Sequence, residues 1–140
     1  MNVSIARRVG AVLAGTIVGV ITIAAIEAAG HSLFPVTPEL DPSKPELMAE
    51  YIKNLPLVAL LFVIFAWAMG SFVGGSISTF ISRDSKSITA LICGGVLMLL
   101  GIFNLLAFPH PVWFWVLGVL VYLPFAWVGY RISLKRPKKD

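Results

Sequence analysis

Four uninterrupted apolar runs, each bounded by charges or prolines, constrain this chain more than any other feature. They extend from Val9 to Gly30, Leu57 to Ser82, Ile88 to Phe108 and Val112 to Leu134, and hold 22, 26, 21 and 23 residues. About 20 apolar residues at 1.5 Å each cross the ~30 Å hydrocarbon core of a bilayer, so each run is long enough to span it. Backbone inside lipid has no water to bond, so these runs must be helical despite their Val, Ile and Phe. None alternates polar with apolar residues as a barrel strand does. The chain is 58% hydrophobic and 13% charged, about half the charged fraction that a soluble domain carries to face water. The expected fold is therefore all-α, one integral membrane domain over residues 1–140 built as a four-helix bundle, and a soluble enzyme is excluded.

The connections restrict how the spans pair. The Pro109-His110-Pro111 corner has two residues of fixed φ and no slack, which makes the third and fourth spans an antiparallel hairpin. Only the connection from His31 to Pro56 has room for structure of its own. Within it Ser43 and Glu46 match the S-x-x-E capping box, and Leu47, Met48, Tyr51 and Ile52 recur at helical spacing. That pattern predicts a short amphipathic helix lying on the membrane surface. Arg7-Arg8 ahead of a stretch ending in Ala28-Ala29-Gly30 also resembles a signal peptide, but the run exceeds the ~15-residue limit of an h-region and is read as a span.

Orientation follows from the basic residues. Arg7, Arg8, Arg83, Lys86, Arg131, Lys135, Arg136, Lys138 and Lys139 fall on one side. Lys44 and Lys53 share the other with Glu39, Asp41, Glu46 and Glu50. The positive-inside rule then puts both termini in the cytoplasm and the long acidic connection outside. Four basic residues directly after the last span suit attraction to anionic lipid headgroups, and nothing calls for a nucleic-acid partner.

Lipid tails are as apolar as leucine, so close approach of small residues must supply much of the helix association. Ala11, Gly15 and Gly19 form a stripe at intervals of four in the first span, and Ala66, Gly70, Gly74 and Ser78 form another in the second. Antiparallel spans bring the two stripes to matching depth, which predicts a tight contact between these helices, with homo-oligomerisation as the competing use. Pro124 is expected to kink the fourth span, removing the bond to the Leu120 carbonyl. Trp113, Trp115, Trp127 and Tyr130 fit interfacial aromatic belts, whereas Trp67 lies deep enough to pack between helices.

Glu27, His31, Asn104 and His110 are the polar side chains that require explanation, and topology places all four near the outer interface. A carboxylate at a span end is normally paired, so Glu27 is expected to find His31 or Asn104. Three uses compete: hydrogen-bond glue or a binding site for a ligand or partner, a proton or solute path of a small transporter acting as an oligomer, and a metal site. In the last, Glu27, His31 and His110 would hold zinc with one position open, although the H-E-x-x-H signature is absent. No catalytic constellation and no required cofactor emerge, and Cys93 is a single cysteine with no disulfide partner. The leading expectation is a non-enzymatic membrane protein.

One resemblance covers most of the chain. Ile26-Glu27, Gly30-His31-Ser32-Leu33, Leu40-Asp41-Pro42, Tyr51-Ile52, Asn54-Leu55-Pro56, Asn104-Leu105 and Pro109-His110-Pro111-Val112-Trp113-Phe114-Trp115 occur in this order. The pattern resembles a group of bacterial four-helix integral membrane proteins with no assigned activity. It implies a bacterial cytoplasmic (inner) membrane as the location and brings no function with it.

Overall fold

A computed structural model describes residues 3–35 and 40–134. The elements are α1 (Ile5–Leu33), α2 (Pro45–Asn54), α3 (Leu57–Ser82), α4 (Ile88–Ala107), α5 (Val112–Leu120) and α6 (Tyr122–Leu134), with no strand among the described residues. Four helical stretches are long and apolar enough to cross a membrane, α5 and α6 together forming the last, Val112–Leu134. The chain is a multi-pass helical membrane protein. The basic tail after residue 134, expected to meet anionic lipid, lies outside the described residues.

Local chemistry sets the helix ends. α1 begins four residues before its apolar run because Ser4 caps it, its hydroxyl accepting from Arg7 N–H at 3.3 Å. It also continues past Gly30, running unbroken through Ala28-Ala29-Gly30 to Leu33. An apolar run marks only the stretch in contact with lipid, and a helix outlasts it until the backbone meets a stop. The expected capping box at Ser43 does not form. Pro45 disfavours helical geometry at Lys44, which is extended at φ −104°, ψ 102°, so the helix starts at Pro45. Ser43 turns back instead, donating from its N–H and hydroxyl to Asp41 Oδ1 at 3.0 and 2.7 Å. The hydroxyl and then the backbone N–H hold the Asp41 carboxyl below the usual carboxylate range.

α3 is the central helix, and each of the other spans packs on it. Toward α1 it presents Gly70, Gly74 and Ser78. A Cβ on Gly15 would lie 2.6 Å from the Gly74 carbonyl oxygen and 2.9 Å from Ser78 Cβ, and one on Gly19 would lie 2.9 Å from the Gly70 oxygen. The backbones of α1 and α3 are therefore in direct contact, with Ala11 and Ala66 fully buried on the same helices. Cys93 of α4 closes the junction, its thiol 3.8 Å from Thr16 Oγ1. A second small face of α3, Ser71 and Gly75, meets α6. Gly75 lies directly against the Ala126 backbone.

The last span is interrupted at Val121, three residues before Pro124, and a neighbour reaches into the break. Sequence pointed to the Leu120 carbonyl as the freed acceptor. The interhelical bond runs to the Tyr122 carbonyl, which accepts from Ser71 Oγ at 2.5 Å. At the end of the bundle opposite α2, Arg8 pairs with the buried Asp84 at 2.9 Å and Arg7 Nε donates to the Ile81 carbonyl at 2.8 Å. These contacts tie the start of α1 to the α3–α4 turn, where Arg83 adopts the left-handed conformation at φ 53° that ends α3.

Candidate functional site

The α2 end of the bundle is where the polar residues gather. α2 touches the helices through its side chains: Ile52 is buried in the core, and Met48 and Tyr51 pack against that core. Its backbone stands away from the spans. Beneath it lies a cavity of about 380 Å³, and Glu27, His31, Asn104 and His110 all line it, with Phe34, Leu40, Met48, Tyr51, Phe62 and Phe108 among its apolar walls. A volume of this size falls at the lower end of the ~300–1,000 Å³ range of small-molecule sites, and so does the mixture of apolar lining with a few convergent polar groups.

The partner of Glu27 differs from the one expected. Its Oε1 accepts from Trp67 Nε1 at 3.1 Å, and it forms no ion pair among the described residues. Trp67 is 3% exposed, and a buried indole N–H needs an acceptor, which Glu27 supplies across the α1–α3 contact. His31 and Asn104 share the cavity wall with Glu27 but neither takes that bond. Trp67 is fixed in turn by the aromatic side chains around it, stacked on Tyr122 at 5.7 Å between centroids and edge-on to Phe114 at 5.5 Å. His110 extends the row, its ring stacked on Phe114 at 4.6 Å with an interplanar angle of 11°.

His110 is held by the corner itself. Its Nδ1 lies 2.8 Å from the Phe108 carbonyl oxygen, a contact in which a protonated Nδ1 donates. Burial pushes its pKa below the ordinary histidine value, against the opposing effect of that carbonyl, so the ring stays neutral at pH 7. Glu27, His31 and His110, the residues expected for zinc, line one cavity. Among the described residues no group of three or more His, Cys, Asp or Glu side chains is placed to hold a metal ion.

A second cavity, of about 290 Å³, lies deeper and shares two walls with the first. Glu27 and Asn104 line both, while Trp67, Tyr122, Val20, Ile23, Leu97, Leu100 and Gly101 complete the inner one. Two glycines make room for the aromatic pair. A Cβ on Gly118 would sit 2.8 Å from the Trp67 ring, and Gly101 lies directly under the Tyr122 hydroxyl. Trp67 and Tyr122 therefore belong to the site, with Phe114 packed behind Trp67 and His110, although sequence reasoning did not assign them to it. The available signal was a tryptophan deep in a span whose N–H had no acceptor on its own helix. No family model, curated protein or solved structure matches this chain.

Proposed function

We propose that this chain is a non-enzymatic membrane protein that binds a small amphipathic ligand in the cavity beneath α2. One observation carries the reading: four polar side chains from α1, α4 and the α4–α5 corner line a single apolar cavity roofed by a helix that contacts the bundle through side chains alone. Glu27 bonds Trp67 across the α1–α3 contact and His110 bonds its own corner, so among the described residues the four do not bond one another and share the cavity wall instead.

The setting we propose is the bacterial cytoplasmic membrane, with the basic end inside and α2 at the outer surface. Arg7, Arg8, Arg83, Lys86 and Arg131 at one end, against the acidic first connection at the other, support that orientation. Contact of the basic tail with anionic headgroups belongs to the same proposal. A second reading, a small transporter, draws support from the two adjoining cavities, which lead from the α2 end toward the middle of the bundle.

Native mass spectrometry of the protein released from its own membrane tests the binding reading. Ala59 is buried and lines the cavity, so Ala59→Trp fills it. The wild type is expected to retain a small-molecule adduct that Ala59→Trp lacks. Equal adducts on both proteins, or none on the wild type across gentle detergents, contradict the reading.

A further inference from the structure

We infer that the ligand is an amphiphile with a cationic amine head, seated on Glu27 beside Trp67 and Tyr122, with its apolar tail in the inner cavity between α1 and α4. The inference rests on the ligand-binding reading and specifies its chemistry. Among the described residues Glu27 is the only carboxylate lining either cavity, and no Lys or Arg lines them. Trp67 engages Oε1 alone, and the other carboxyl oxygen has no hydrogen-bond partner among the described residues, so it can receive an ammonium donor. An ammonium head gives Glu27 both a direct donor and a counter-ion, which His31 on the same cavity wall does not do through any hydrogen bond or ion pair among the described residues.

Trp67 and Tyr122 line the inner cavity beside Glu27 and bring no basic side chain that would compete for its carboxyl group. His110 lines the outer cavity as a neutral ring at pH 7 and does not compete for the carboxylate.

Depth and access suit an amphiphile. Glu27 lies six residues before the end of α1, about 9 Å along the axis, and the 29-residue helix, about 43 Å long, exceeds the hydrocarbon core by about 13 Å. A head bound there sits near the level where hydrocarbon gives way to headgroups. Below it Val20, Ile23, Leu97 and Leu100 form an apolar slot. Val20 and Leu100 are 41% and 47% exposed on the flank that faces lipid, so the slot opens sideways into the bilayer.

Saturable binding of tritiated dodecylamine and tritiated dodecanol to the purified full-length chain in phosphatidylcholine nanodiscs tests the assignment. The two probes share a tail, and the amine is protonated at pH 7. Wild type is expected to bind the amine about tenfold more tightly than the alcohol. Glu27→Gln should abolish that preference, and Glu27→Asp should retain part of it. If both probes bind the wild type equally, the amine head is wrong although the cavity binds ligands. If neither binds saturably, the ligand-binding reading itself falls. The comparison on wild type stands even if Glu27→Gln fails to fold.

Discussion

Gly15 has no space for a side chain, because the Gly74 carbonyl oxygen lies 2.6 Å from where its Cβ would be. Gly15→Leu should therefore force α1 away from α3 and cost about 2 kcal/mol or more, whereas Gly10→Leu, with nothing within 4 Å of its Cβ position, should change stability by less than about 0.5 kcal/mol. Thermal unfolding in detergent micelles measures both. Loss of an oligomer with an unchanged monomer would assign the stripe to an intermolecular contact instead. His110 gives a prediction in pH. Its folded-state pKa is depressed, so as pH falls through about 6.5 the unfolded chain takes up the proton first and stability declines toward the lower folded pKa. Replacement with glutamine should remove that part of the acid-side loss, and an unchanged pH profile would contradict the burial of the ring. Glycines at intervals of four were legible because helix geometry alone puts them on one face. Glu27 was legible as a residue needing a partner. Its bond to Trp67 was not, because it depends on how far two long side chains reach across antiparallel helices, which spacing does not report.

Among the elements, α3 began and ended where its apolar run did, since Pro56 and a left-handed Arg83 stop it at both ends. α1 outran its apolar stretch at both ends, and α2 started two residues after the hydroxyl expected to cap it, because the geometry imposed by Pro45 overrode the capping pattern. The break between α5 and α6 is coupled to α3 through Ser71. Ser71→Ala should cost about 1 kcal/mol, in the range of interhelical hydrogen bonds in membranes, and chemical unfolding in mixed micelles is the check. The clamp at the basic end is asymmetric. Asp84 has a side chain 6% exposed, and that of Arg8 is 40% exposed. Arg8→Gln leaves a buried carboxylate without its counter-ion, while Asp84→Asn leaves an arginine that can turn to water. The first should therefore destabilise by about 2 kcal/mol and more than the second, and the reverse order would show that Asp84 is open to water.

At the scale of the whole molecule, the number and placement of the spans were readable because lipid imposes one solution on any long apolar run: a helix with its backbone bonds closed within itself. The cavities were not readable, since they arise where α2 stands off the bundle and where Gly101 and Gly118 make room for Tyr122 and Trp67. Ligand entry at the α2 end requires a bundle that crosses the bilayer with its polar cavity facing outward. Labelling of single introduced cysteines at Ser4, Ser43 and Ser85 in intact cells with a membrane-impermeant maleimide tests this most directly. The native Cys93 is fully buried and serves as an unreactive background. Labelling of Ser43→Cys from outside, with Ser4→Cys and Ser85→Cys reacting only after permeabilisation, is the result predicted. Reaction of Ser85→Cys in intact cells, or protection of Ser43→Cys, would contradict it.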